Sequence, residues 1–127
     1  MYCVDTNIII DILRGDEELA LKLQNLSHSK IYMTFITLCE LYKGAYSYHD
    51  SAIKVSDIKN FVSSFELLNF DEKTCDEFGK MYFELKKSGK TIGESDLFIA
   101  SIVKVNNLTL ITRDKDFKKI NIKTEFW

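Results

Sequence analysis

The chain has 127 residues, enough for one compact domain with its own core. Its 46% hydrophobic and 28% charged residues are ordinary for a soluble globular protein, and no apolar run is long enough to span a membrane. The formal net charge of −2 (Lys+Arg 17, Asp+Glu 19) excludes an extreme polyelectrolyte but decides nothing about nucleic acid, because an acidic site can sit inside a basic rim. The start of the chain has no basic stretch leading into an apolar one, so no signal peptide and a cytoplasmic location are expected. Cys3, Cys39 and Cys75 are odd in number and lack metal-ligand spacing, which predicts reduced, buried, small hydrophobes. His28 and His49 lie in polar stretches and are expected to be solvated.

In chain order, Tyr2 to Asp5 reads as a short strand and Ile8 to Leu13 as a short helix stopped near Gly15. Asp16 to Leu26 reads as a helix with Leu19, Leu23 and Leu26 on one face. Lys30 to Phe35 is a strand candidate, and Thr37 to about Tyr48 is helical. Ser51 to Phe65 is helical through Ile58, Phe61 and Phe65, and Glu66 to Phe70 is a strand candidate. Glu72 to Ser88 is the clearest helix, with Cys75, Phe78, Tyr82 and Leu85 as its apolar stripe and Gly89 as its stop. Ser95 to Asn106 is a buried helix, Leu108 to Thr112 a strand buried on both faces, and Ile120 to Phe126 an edge strand. Alternating strands and helices in one domain imply an α/β fold with a mostly parallel sheet, in which ligands bind beyond the carboxyl ends of the strands.

Four acids stand at the edges of apolar runs: Asp5 after Tyr2-Cys3-Val4, Glu40 in Thr37-Leu38-Cys39-Glu40-Leu41, Asp96 before Leu97-Phe98-Ile99-Ala100, and Asp114 after Leu110-Ile111-Thr112-Arg113. Each has a local explanation. Thr37-x-x-Glu40 and Thr91-x-x-Glu94 match capping boxes, Asp96 suits a helix N-terminus, Asp114 suits a turn, and Asn7 could cap the helix after Asp5. Together these explanations fit less well, because gathered carboxylates raise one another's pKa unless a cation offsets them. Oxygen donors without clustered His or Cys suit Mg²⁺ or Mn²⁺ rather than zinc. Two such ions about 4 Å apart can serve phosphodiester cleavage with no side-chain nucleophile.

These residues resemble the motifs of the PIN-domain family. Val4-Asp5-Thr6-Asn7 is similar to its opening motif, Thr37-Leu38-Cys39-Glu40-Leu41-Tyr42-Lys43-Gly44-Ala45 to its second, Asp96-Leu97-Phe98-Ile99-Ala100 to its third, and Leu110-Ile111-Thr112-Arg113-Asp114-Lys115-Asp116-Phe117 to its fourth. The nearest subgroup is the VapC-like ribonuclease toxins of type II toxin–antitoxin systems. The resemblance implies a three-layer α/β/α PIN-like domain over residues 1–127, a central mostly parallel sheet, and Mg²⁺- or Mn²⁺-dependent endoribonuclease activity. It implies Asp5, Glu40, Asp96 and Asp114 as metal-site and catalytic acids, with Asp116 as an alternative or additional fourth acid. Thr6, Asn7 and Thr112 would be supporting polar residues, and Glu94 a neighbour of the site. A homodimer and a neutralising antitoxin are implied as well.

An RNA substrate needs cations near the acids. Lys43, Lys86, Lys87, Lys90, Arg113 and Lys115 are candidate RNA contacts, with Lys118 and Lys119 in the same basic run. Lysines at helix ends also complement the helix dipole, so each cluster has a second explanation. Tyr42, Tyr46 and Tyr48 suit packing better than base stacking. The competing functional readings are a non-catalytic RNA-binding or regulatory module on the same fold, and a Mg²⁺-dependent phosphatase. The phosphatase usually wants a second acid close after the first, where this chain has Asn7.

Overall fold

The computed structural model describes residues 1–127. Strands β1 (Tyr2–Val4), β2 (Ile31–Thr34), β3 (Glu66–Leu68), β4 (Thr109–Thr112) and β5 (Lys123–Phe126) form one sheet in the order β3-β2-β1-β4-β5, and every neighbouring pair is parallel. The helices are α1 (Thr6–Leu13), α2 (Glu17–Asn25), α3 (Phe35–Ala45), α4 (Ser51–Val62), α5 (Glu72–Lys87) and α6 (Glu94–Val105). A 3₁₀ turn over Lys115–Lys119 follows β4.

Strand alternation builds the layers. Side chains along a strand point to opposite faces in turn. Val4, Met33 and Ile111 therefore enter one core with Ile8 and Ile9 of α1, Leu19 of α2, Leu41 of α3 and Ile58 of α4. Cys3 and Leu110 enter the other with Met81 and Leu85 of α5, Leu97, Ile99 and Val103 of α6, and Phe117. The sheet is thus covered on both faces, the three-layer α/β/α arrangement expected. Full burial of Phe117 contributes on the order of 2–3 kcal/mol and anchors the 3₁₀ turn directly after the fourth acidic motif.

The strand order decides where a ligand can sit. From β1 the chain moves outward to β2 and β3, then crosses back to place β4 on the other side of β1. The crevice between the carboxyl ends of β1 and β4 lies at this reversal of direction, where open α/β sheets bind ligands. Val4 pairs with Ile111 at the end of the β1–β4 ladder, and Asp5 N–H donates to the Ile111 carbonyl (2.9 Å). Asp5 is therefore pinned at the mouth of that crevice.

Several local expectations change. Helix α3 starts at Phe35, with Thr34 as its N-cap accepting from Thr37 N–H (3.0 Å), so Thr37 and Glu40 form no capping box. Gly93 caps α6 without a side-chain bond, which removes the Thr91–Glu94 box. Asp5, not Asn7, is the N-cap of α1. Cys39 and Cys75 are exposed; only Cys3 is buried as expected. In α5 the buried stripe is Thr74, Met81 and Leu85 with Phe78 partly covered, while Tyr82 is 56% exposed. The expected stripe and the buried one share Phe78 and Leu85, and packing against α6 selects the one that buries Met81, whose flexible thioether lies 3.7 Å from Ser101 Oγ, a hydroxyl that donates to the Leu97 carbonyl (2.7 Å). Gly15 (φ 103°) and Gly89 (φ 67°) do end α1 and α5 in the left-handed conformation that glycine adopts without strain.

Candidate active site

Asp5 is 3% exposed, and both its carboxylate oxygens are hydrogen-bonded. Thr6 N–H donates to Oδ1 (2.8 Å) and Thr112 Oγ1 donates to Oδ2 (2.6 Å). Thr112 Oγ1 in turn accepts from Asp114 N–H (3.0 Å) and from Asn7 Nδ2 (3.5 Å), so the ends of β1 and β4 are stitched through one hydroxyl. Asn7 Oδ1 accepts from Arg113 N–H (3.4 Å). The expected supporting residues Thr6, Asn7 and Thr112 thus all touch Asp5 or its partners.

Glu40 lies in the second turn of α3, where nothing in helix capping requires it. Its Oε2 accepts from Thr6 Oγ1 and its Oε1 accepts from Ser95 Oγ (2.6 Å). Behind Thr6 stands a buried row of threonines: Thr6 Oγ1 and Thr37 Oγ1 are 3.1 Å apart, Thr37 Oγ1 and Thr34 Oγ1 3.2 Å apart. A hydroxyl carries one proton. Thr6 gives its proton to the carboxylate, so Thr37 donates to Thr6 and Thr34 to Thr37. The row orders every hydroxyl toward Glu40 and leaves no buried polar side chain unpaired.

Asp96 sits in the first turn of α6. Burial, and then the charges of Asp5, Asp114, Glu40 and Asp116, raise its pKa to about 6. Asp5 is also raised to about 6, by burial first; the Thr112 and Thr6 hydrogen bonds oppose this, and the Glu40 and Asp114 charges add to it. The expected acids are therefore electrostatic neighbours, although they come from four separate parts of the chain. Their shared charge is the chief cost of the arrangement after burial. No three Asp, Glu, His or Cys side chains already stand together as a ligand set. The donors are all oxygen, which fits Mg²⁺ or Mn²⁺, and a divalent charge would offset the repulsion that Asp5 and Asp96 register.

The two candidates for the fourth acid separate. Asp114 Oδ1 caps the 3₁₀ turn through Asp116 N–H (2.8 Å), and Asp116 Oδ1 is paired with Lys119 Nζ (2.8 Å). Asp114 is among the charges that raise Asp5, and at Asp96 the effect of Asp114 ranks above that of Asp116. Asp114→Asn is accordingly expected to lower nuclease activity by at least about 10-fold and Asp116→Asn by no more than about 3-fold, with initial rates on RNA as the measurement.

The cations divide as well. Arg113 bonds Asp11 (2.8 Å) and lies 3.5 Å from Asp16, so its charge is already matched and it ties the end of β4 to α1 and α2. Lys119 is paired with Asp116, and Lys118 lies over the Phe126 ring. Lys43, Lys86, Lys87, Lys90 and Lys115 are exposed, and each is free of a carboxylate partner. A cleft between α1, α3 and α4 is lined by Arg14, Tyr48, Lys54 and, alone of the four acids, Glu40. Lys54 Nζ stands 5.1 Å from the Tyr48 ring centroid. Of the three tyrosines expected to pack against the core or a partner subunit, Tyr42 packs against the core, while Tyr46 and Tyr48 are exposed on the single chain. Ser95, Arg14 and Lys54 had escaped the reading of the sequence. Of these only Ser95, directly before Asp96, carried a positional hint.

The PIN domain model matches residues 2–123. The chain therefore belongs to the PIN-domain family. It is 32% identical over 128 residues to Ribonuclease VapC2 of Haemophilus influenzae, covering 99% of this chain and 97% of that protein. It is 27% identical to the tRNA(fMet)-specific endonuclease VapC of Shigella flexneri, with 99% and 97% covered. Its fold superposes on VapBC2 from Rickettsia felis bound to a DNA fragment from its promoter, with a TM-score of 0.94, 30% identity, and 99% and 98% of the two chains covered. Within the PIN-domain family these likenesses make it a VapC-like member.

Proposed function

We propose that this protein is a Mg²⁺- or Mn²⁺-dependent endoribonuclease, the toxin of a type II toxin–antitoxin pair, with residues 1–127 acting as one nuclease domain. The observation that carries the reading is that Asp5, Glu40, Asp96 and Asp114 are electrostatic neighbours around the carboxyl end of β1, in a VapC-like PIN domain. Asp5, Glu40, Asp96 and Asp114 are the residues that would hold the cation. When bound, a divalent cation supplies positive charge for the phosphodiester and acidifies water for attack. The chain's own part is positional. Thr112 and Thr6 fix Asp5, the threonine row and Ser95 fix Glu40, and the first turn of α6 holds Asp96. Lys43, Lys86, Lys87, Lys90 and Lys115 are the candidate phosphate contacts. Arg113 is left out because Asp11 and Asp16 already claim its charge.

An antitoxin partner is supported by the likeness to VapBC toxin–antitoxin complexes. A homodimer is part of the same reading. Helix α5 leaves Tyr82 and Phe83 56% and 65% exposed, apolar surface that a second copy would cover. Sedimentation at micromolar concentration is expected to give twice 14.8 kDa, and a monomer there contradicts the dimer. The function itself is tested by incubating total RNA with the pure protein in Mg²⁺, Mn²⁺ or EDTA. Cleavage in either metal and none in EDTA is expected; cleavage that persists unchanged in EDTA overturns metal dependence, and none in any condition overturns the nuclease.

A further inference from the structure

We propose that Ser95 is a positioning residue that orients Glu40 for the divalent cation, a role that rests on the metal-dependent reading above. Glu40 needs such help more than the other acids do. It projects from the second turn of a helix on three rotatable bonds, whereas Asp5 is locked at a strand end by its own backbone and by two donors. A flexible ligand loses rotamer freedom on binding, and fixing it beforehand removes that cost from the affinity.

Two hydroxyls from two different helices do the fixing. Thr6 of α1 holds Oε2 and Ser95 of α6 holds Oε1, at 2.6 Å. Thr6 directly follows Asp5, and Ser95 directly precedes Asp96. Glu40 is therefore strung between the residues adjoining the two acids that burial and neighbouring charge raise together. Each hydrogen bond uses one lone pair of a carboxylate oxygen and leaves another for a cation. Ser95 has no competing local duty. The cap of α6 is Gly93, and the only hydrogen bond from the Ser95 hydroxyl crosses 55 residues of sequence to Glu40. Alanine is tolerated at the second position of a helix, so the hydroxyl can be removed without a helix penalty.

The experiment compares wild type, Ser95→Ala and Ser95→Thr in three readouts: Mn²⁺ affinity by calorimetry, cleavage of total RNA against Mn²⁺ concentration, and melting temperature in EDTA. Ser95→Ala is expected to weaken Mn²⁺ binding and raise the half-saturating Mn²⁺ for cleavage about 10-fold, with the rate at saturating Mn²⁺ within about 3-fold of wild type. Its melting temperature in EDTA should stay at the wild-type value, and Ser95→Thr should restore the affinity because it restores the hydroxyl. Wild-type Mn²⁺ affinity in Ser95→Ala overturns the proposal. So does a loss that tracks a lower melting temperature and is not rescued by threonine. A wild type that neither binds Mn²⁺ nor needs it for cleavage overturns the underlying reading instead, and is told apart by the wild-type arm alone.

Discussion

Asp5→Asn is expected to lower RNA cleavage by about 10³-fold or more while leaving the fold intact. The asparagine carbonyl can accept from Thr6 N–H as Oδ1 does, and Thr112 Oγ1 can accept from the amide by giving up its long contact with Asn7 Nδ2 (3.5 Å) while keeping that with Asp114 N–H. What disappears is the negative charge at the mouth of the β1–β4 crevice, which the cation needs and the apo fold does not. Removing a buried, repelled carboxylate should leave the chelated protein at least as stable as wild type. The pair of measurements is initial rate in Mn²⁺ and melting temperature in EDTA. Cleavage within about 10-fold of wild type by a pure, folded variant would remove Asp5 from the catalytic centre.

The second large effect is on stability against pH in chelator. Asp5 and Asp96, with an ordinary value of 3.8, are both raised to about 6 in the folded protein, chiefly by burial and then by neighbouring carboxylates. An acid with a raised folded pKa binds its proton more tightly when native, so the stabilisation it brings is complete below about 3.8 and is lost as pH rises through 6. Lowering the pH from 7.5 to 5.5 in EDTA should therefore stabilise the fold. Asp5 alone contributes on the order of 1 kcal/mol over that interval, or about 4 °C in melting temperature, with Asp96 adding less because it is half exposed to solvent screening. Asp71, lowered chiefly by its Thr74 hydrogen bonds, acts below its ordinary value of 3.8 and does not intrude. With saturating Mg²⁺ the slope should flatten, because the cation stabilises the ionised site. A melting temperature that falls on acidification in EDTA would show that burial and neighbouring charge do not raise Asp5 and Asp96 as the fold places them.

The layers of the fold were legible because they follow from period and composition. β4 is a run of buried β-branched and aliphatic residues, and α6 is apolar nearly all round, so each carried its own signature of burial. Helix boundaries moved by one to three residues where a threonine or aspartate at the strand end took the capping role itself. Thr34 and Asp5 are the cases that matter, since moving the caps there frees Glu40 and Asn7 from the local roles they could have had. Cys39 is exposed because an apolar neighbour in sequence does not fix which side of a helix a residue occupies, and Cys75 because α5 buries the stripe through Thr74 and Met81 instead of the one through Cys75 and Tyr82. The acids stood out in the sequence as an ordered set with Thr6, Asn7 and Thr112 beside them, while Ser95 and the threonines behind Thr6 did not. Ser95 reaches Glu40 across 55 residues, and the row from Thr34 through Thr37 to Thr6 joins β2, α3 and α1. Such bonds depend on how elements pack, and no pattern along the chain encodes them.

The most direct measurement is anomalous diffraction from crystals of the protein soaked in Mn²⁺. One or two manganese peaks bounded by Asp5, Glu40, Asp96 and Asp114, at the crevice between β1 and β4, is the expected result. Crystals that accept Mn²⁺ elsewhere and show none among these four carboxylates would contradict the site, and with it the chemistry assigned to this protein.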